Sequence, residues 1–275
     1  MNINIRPATE QDIPALCEIW KACFSDSDEY LKQFYKENFG YAEILILTVN
    51  EEPACMVHIF DAEFIDGNTS RSAKYKYAGG TLPKFRSKGY FRILMNYVIE
   101  RARKSGDILL YKPATRALGD LFITLGAEHD TDFKIVTAEP KEKIPLSVHD
   151  LNSYEYNRLR NETFSSIPYV KWPDRYVDWC IKDNEFFGGR TLGFEYDGNE
   201  HFLMAYPEDK TLIVTETSLS PAQLKKLGGG ICDIFGSELI KAYMPERFCS
   251  EGESVIATVI LNAPVKHTYA NLLLI

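Results

Sequence analysis

The residues best placed to do chemistry together lie in one run, Thr81-Leu82-Pro83-Lys84-Phe85-Arg86-Ser87-Lys88-Gly89-Tyr90-Phe91. Before it, Ser72–Thr81 has the composition of a strand. After it, Tyr90–Lys104 sets Ile93, Leu94, Tyr97, Val98 and Ala102 at helical spacing. A strand–turn–helix junction aims several free backbone N–H groups at one point and adds the positive end of the helix dipole. That chemistry suits an anion, above all a phosphate or pyrophosphate. Gly89 lets the backbone approach a ligand with no Cβ in the way, and Arg86 and Lys88 add cationic side chains.

The surrounding elements predict a sheet that holds this loop. Ile3–Arg6 reads as a strand, and Thr9 caps a helix with Asp12 three residues on. Asp26-Ser27-Asp28 caps a second helix. Ile44–Val49 and Ala54–Phe64 are strands around a turn, and Ser72–Thr81 follows the Asp66-Gly67-Asn68 turn. Beyond the loop come the helix, a buried strand at Asp107–Tyr111, a helix at Thr115–Leu125 stopped by Gly126, and a strand at Asp132–Val136. The order βααβββαβαβ is a mixed α/β sheet. Two prolines and a charge run make 138–148 a linker or crossover. The pattern then restarts. Helices fall at His149–Phe164 and Arg175–Phe187, and a hairpin at Thr191–Tyr196 and Glu200–Tyr206. A strand at Thr211–Ser218 and a helix opened by Pro221 come next. Strands follow at Leu239–Tyr243, Val255–Leu261 and Asn271–Ile275. Gly228-Gly229-Gly230 reads as a helix stop. The predicted domains are therefore 1–137 and 149–275.

Composition narrows the function classes. The chain has 275 residues, 45% hydrophobic and 25% charged, which suits two globular domains. A net charge of −8 argues against nucleic-acid binding, which needs a basic footprint. No apolar run reaches the roughly 18 residues of a membrane span. The six cysteines show no CxxC spacing and no nearby histidine for zinc. They predict reduced thiols in a cytoplasmic protein. His58 and His201, on strands, are expected to be satisfied inside the fold.

Strand, Pro83, Arg86-x-x-Gly89, helix, apolar strand, helix and Gly126, in that order, resemble the GCN5-related N-acetyltransferase (GNAT) family. So do the opening Ile5-Arg6-Pro7-Ala8-Thr9-Glu10-Gln11-Asp12-Ile13 and the closing Leu121-Phe122. The family loop reads Gln/Arg-x-x-Gly-x-Gly/Ala, and here its last residue is Phe91. The resemblance covers about 1–137. The whole chain is similar to a tandem subgroup, near the aminoglycoside acetyltransferases of the enhanced-intracellular-survival type, in which only the first fold keeps the cofactor loop. It implies a mixed central sheet of acyl-CoA N-acyltransferase type followed by a second, degenerate GNAT-like fold that shapes the substrate cleft.

The implied function is acetyl transfer from acetyl-CoA to a small-molecule or peptide amine, with no metal. The alternative is an acyl-CoA-binding module that has lost turnover. The resemblance assigns cofactor binding to Gly79, Gly80, Thr81, Leu82, Arg86, Ser87, Lys88, Gly89, Tyr90 and Phe91, with oxyanion donors around Gly79–Leu82. The family's usual basic Glu falls at Tyr75 and its usual acidic Tyr at Phe122. Three replacements follow. Tyr75 and Tyr77 share a strand face with Gly79 and Thr81 by period 2, with Tyr77 expected to face the thioester. Tyr111 lies on the next strand. The C-terminal carboxylate of Ile275 could serve as a base, as in the aminoglycoside subgroup. Asp26, Asp28, Glu29, Asp61 and Glu63 either attract a cationic amine or form a solvated acidic surface.

Overall fold

The structure, a computed structural model, describes residues 1–113, 115–130, 133–139, 142–250, 252–255, 258–263 and 268–272. The elements run β1 (Ile3–Pro7), α1 (Ile13–Lys21), α2 (Asp28–Asn38), β2 (Glu43–Val49), β3 (Glu52–Asp66), β4 (Thr69–Thr81), α3 (Tyr90–Ser105), β5 (Ile108–Tyr111), α4 (Arg116–Thr124) and β6 (Glu128–Asp130). The second half continues with β7 (Phe133–Ala138), β8 (Val148–Asp150), α5 (Ser153–Phe164), β9 (Tyr169–Lys171), α6 (Asp174–Phe186), β10 (Arg190–Tyr196), β11 (Asn199–Glu208), β12 (Thr211–Thr217), α7 (Pro221–Phe235), β13 (Leu239–Pro245), β14 (Glu253–Val255) and β15 (Thr258–Leu261).

Two compact units divide the chain. The first is Met1–Ala62, Arg71–Glu128 and Val259–Ala263; the second is chiefly His129–Thr258 with the tip of the β3–β4 hairpin. The boundary therefore differs from the expected 1–137 and 149–275. The reason is strand pairing. β7 pairs antiparallel with β13 and β14, so it belongs to the second sheet. The place beside β5 goes instead to β15, from near the end of the chain. Neither pairing leaves a local trace in sequence, since both join strands more than a hundred residues apart.

The first sheet runs β1-β2-β3-β4-β5-β15-β6. Its helices have visible causes. Ser27 accepts from the Tyr30 N–H to cap α2, whose buried Tyr30, Leu31, Phe34 and Tyr35 form one face. Before α1, the Asp12 carboxylate accepts from the Thr9 N–H at 2.8 Å and from both Arg6 terminal nitrogens at 2.6 and 2.8 Å. Gly106 ends α3 in the left-handed region, where a side chain would be strained.

The second sheet runs β14-β7-β13-β12-β11-β10-β8. Together with the first, it gives the mixed α/β architecture expected from the sequence, one GNAT-like sheet followed by another. Leu203, Val214, Leu224, Leu227, Ile231, Ile240 and Met244 are among its buried core. The triple glycine is not a helix stop. It lies inside α7, which runs on to Phe235 and ends at left-handed Gly236. A Cβ at Gly229 or Gly230 would overlap the carbonyl oxygens of Glu142 and Ile144, so these glycines let the incoming chain lie against the helix. A fully buried ion pair also sits in this unit. Arg160 Nε donates to Glu216 Oε2 at 2.9 Å, and Tyr156 Oη donates to the same oxygen at 2.6 Å.

Candidate active site

β4 and β5 run parallel and in register only from Ala73↔Ile108 to Lys76↔Tyr111. β5 then stops, two residues before Pro113, while β4 continues to Thr81. The β4–β5 register ends at Lys76, and from Ala78 to Thr81 the edge of β4 that faced β5 has no strand partner among the described residues. Such an edge offers backbone donors and acceptors to whatever enters the gap.

The loop after β4 is held by its own backbone. Leu82 N–H donates to the Ala54 carbonyl at 3.0 Å, and one 3-10 turn, Pro83–Phe85, follows. Phe85 is buried edge-on against Tyr90. Ser87 at φ +60° and Gly89 at φ +81° then turn the chain into α3. The N–H groups of Ser87, Lys88 and Gly89 find no acceptor among the described residues. The first turn of α3 carries no acidic residue. A cluster of free N–H groups at the positive end of a 16-residue helix is an anion cradle.

Two loop residues act differently from expectation. A Cβ at Gly89 would meet nothing within 4 Å, so the glycine serves the left-handed φ rather than clearance from the protein. Arg86 is exposed, yet its guanidinium is tied down. Nε donates to the Thr81 carbonyl at 3.0 Å and Nη2 to the Ala22 carbonyl at 2.6 Å. Arg86 thus fastens the loop to the end of α1. Lys88 is exposed over the Phe85 ring, where it remains close to the cradle.

The three candidate tyrosines do not converge. Tyr75 and Tyr77 pack into an aromatic box on the α1–α2 side of the sheet. Tyr77 lies 5.7 Å from Trp20 and 5.9 Å from Phe34 between ring centroids. Its hydroxyl lies 3.5 Å from that of Tyr30. Tyr111 is on the other face, stacked on Phe122 at 4.2 Å. Period 2 places Tyr75, Tyr77, Gly79 and Thr81 on one face, and the structure corrects this. Ala78 has φ +41°, and the alternation slips by one there. A Cβ on Gly79 would meet Lys76 Nζ and the Phe91 ring, whereas one on Gly80 would meet Cys23 and Ile19. Gly79 therefore faces away from Tyr77, and Tyr77 does not share the face of the unpaired Gly79.

The remaining candidates have structural partners. His58 is buried between the Tyr35 hydroxyl at 3.3 Å and the Ala78 carbonyl at 3.4 Å; burial lowers its pKa to about 3, so it is neutral. His201 is buried, with Nδ1 3.1 Å from the Ser218 hydroxyl. Asp26 accepts from Trp20 Nε1, Asp28 pairs with Lys21, Asp61 with Lys74 and Glu63 with Lys171. Ile275 lies outside the described residues. No group of three or more metal-ligating side chains occurs among the described residues.

Lys76 was missed from sequence. Its ammonium lies 5.5 Å from the Phe91 ring centroid and 5.6 Å from that of Phe122. A lysine alternating with tyrosines in Lys74-Tyr75-Lys76-Tyr77 was the available clue. Tyr111 completes this corner: its hydroxyl is buried with no hydrogen-bond partner among the described residues, and burial pushes its pKa up.

Residues 4–117 match the family model for an acetyltransferase (GNAT) domain. Over that span the chain is similar to a GNAT domain. The matched span holds the loop, the split strands and Lys76. No curated protein matches the sequence significantly. Solved structures extend the likeness in fold to both units. A probable N-acyltransferase from Enterococcus faecalis superposes with TM-score 0.74 at 10% identity, covering 94% of this chain and 72% of that one. Eis1 from Mycobacterium abscessus gives TM-score 0.64 at 11% identity over 94% and 73%. Saccharomyces cerevisiae N-myristoyltransferase with bound myristoyl-CoA gives 0.61 at 9% over 97% and 84%. At these identities the likeness is one of fold. Both GNAT-like sheets of this chain thus have counterparts in known acyltransferase folds.

Proposed function

We propose that the chain is an acyl-CoA-dependent N-acyltransferase, with acetyl-CoA as donor and a small amine as acceptor. One observation carries the reading: unclaimed N–H groups at Ser87–Gly89 open α3 directly beside the unpaired end of β4. The residues present fit a phosphate-bearing thioester. The N–H cradle and Lys88 suit the pyrophosphate, and the edge at Ala78–Thr81, beyond the register with β5, suits the amide-rich arm. The orphaned Tyr111 hydroxyl adds a polar group in want of a partner.

The donor supplies an activated acyl group as a thioester. The chain's residues bind and orient it. Arg86 sets the loop's pitch through Thr81 and Ala22. Backbone donors near Gly79 serve the oxyanion, where preorganised N–H groups act most strongly. The buried Tyr75 and Tyr77 hydroxyls are left to the aromatic box, so solvent takes the amine proton. That same burial favours a second reading, a binding module without turnover. Coenzyme A release measured across a panel of amines separates the two. Amine-dependent release supports the transferase. Coenzyme A binding with no release for any amine supports the binding module.

A further inference from the structure

Phe122 stands where the resemblance to the GNAT family places a proton donor, and a phenyl ring has no proton to give. Yet the corner around Phe122 contains an acidic hydrogen. Lys76 is the last β4 residue in register with β5, and beyond it the strands part. Its half-buried ammonium sits between the rings of Phe91, in the first turn of α3, and Phe122, in α4. It lies so close to Gly79 that a Cβ there would come within 2.6 Å of Nζ. No carboxylate among the described residues pairs with it, and none takes its protons in a hydrogen bond. Two aromatic faces hold a cation by their quadrupoles without neutralising it. A held, unneutralised cation at the mouth of a gap is arranged for an anion that arrives later.

We propose that Lys76 gives its proton to the sulfur that departs during acyl transfer. The inference rests on the transferase reading of the site. The acceptor nitrogen forms a bond to the acyl carbon, the C–S bond breaks and its electron pair goes to sulfur. Lys76 Nζ supplies the proton that makes the thiol. The acceptor nitrogen loses its surplus proton to solvent, and Lys76 regains one from solvent. Free coenzyme A, amide and the ammonium are the balanced products.

The surroundings suit the task. Burial alone lowers the Lys76 pKa to about 8, close to an ordinary thiol at about 8.5, so the transfer is nearly level in energy. The titratable groups on neighbouring strands do not compete. His58 on β3 packs against Trp20 and Phe34 on the other face of the sheet and is neutral. Tyr111 on β5 has its pKa raised by burial, and the next residue, Lys112, is lowered to about 8. From α3 and α4 it meets the rings of Phe91 and Phe122.

The test uses the full chain with Lys76→Met and Lys76→Arg. Coenzyme A affinity and circular dichroism first establish that each variant folds and binds. Ultraviolet absorbance of the thiolate then follows the titration of bound coenzyme A. In the wild type the bound thiol should titrate below the free one, in Lys76→Met at the free value, and in Lys76→Arg below it again. In turnover both variants should lose about 10²-fold in kcat, because methionine has no proton and arginine does not release its own. The wild-type rate should fall as pH rises through about 8, where the donor is lost, and that limb should vanish in both variants. An unshifted thiol in the wild type, or turnover and pH profile unchanged in Lys76→Met, overturns the inference. Absence of turnover with intact coenzyme A binding overturns the transferase reading, and the donor role with it.

Discussion

Substitution of Gly89 tests the phosphate cradle through two separable effects. Gly89 sits at φ +81°, and a Cβ there would have no neighbour within 4 Å, so any replacement is strained but not crowded. A left-handed conformation costs an ordinary residue about 1–2 kcal/mol, and less for Asn. If the loop escapes that strain by moving, Gly89→Ala should lose about ten-fold in coenzyme A affinity, since about 1.4 kcal/mol is one decade. Gly89→Asn should lose less. Gly89→Asp adds a negative charge beside the pyrophosphate. At about 4 Å two unit charges interact by about 1 kcal/mol in water and about 4 kcal/mol at an effective dielectric near 20. The residue is exposed, so the lower part of that range applies, and the combined loss should be about 2–4 kcal/mol. Calorimetric titration with coenzyme A and with dephosphorylated pantetheine reads both effects, because only the former should distinguish Asp from Asn. Added salt should narrow the Asp–Asn difference. Equal affinity for coenzyme A in Asn and Asp variants at low salt would refute phosphate binding at this turn.

Tyr77→Phe should retain turnover within about two-fold, since its hydroxyl points to Tyr30 across the sheet from Gly79; a hundred-fold loss in steady-state assays would return it to the role of donor. Asp12→Asn removes the partner of Arg6, which holds the Asp12 carboxyl below the usual range mainly through its side-chain hydrogen bonds. That stability is present above the ordinary carboxylate pKa of about 3.9 and is lost as pH falls through the folded value. Urea titrations should show Asp12→Asn less stable than wild type by about 1–3 kcal/mol at neutral pH, with the gap narrowing below about pH 4; a constant gap would contradict the assignment. Glu216→Ala strands buried Arg160 and Tyr156, which should cost about 3–5 kcal/mol. Urea unfolding of Glu216→Ala within about 0.5 kcal/mol of wild type would show that the buried pair is not needed.

Much of the first unit was legible because its cues are local. Ser27 at the start of α2, Gly106 after α3, and the loop from Pro83 to Gly89 each announce themselves within a few residues. The same is true of the hairpin across Asp197-Gly198-Asn199, now β10 and β11. What stayed hidden was either non-local or a break in period. β15 beside β5 and β7 beside β13 depend on pairings that the intervening chain does not encode. The triple glycine carries the composition of a stop, but its use is to let 142–144 approach α7. In the site, one residue undid the face assignment. Ala78 adopts a left-handed φ that residue type does not advertise, and the side chains after it change sides. Lys76 escaped notice for a related reason: strand parity put it opposite the tyrosines, but nothing in sequence put Gly79 and Phe122 beside it.

Backbone amide shifts on addition of acetyl-CoA show which N–H groups the cofactor meets. Titration into the full chain, isotopically labelled, follows each N–H individually. Saturation is expected at one equivalent, with the largest changes at Ser87, Lys88 and Gly89 and at Gly79 on β4, and with little change at Gly228–Gly230 in α7. Saturating shifts centred on another part of the chain, with Ser87–Gly89 unmoved, would contradict binding at this loop.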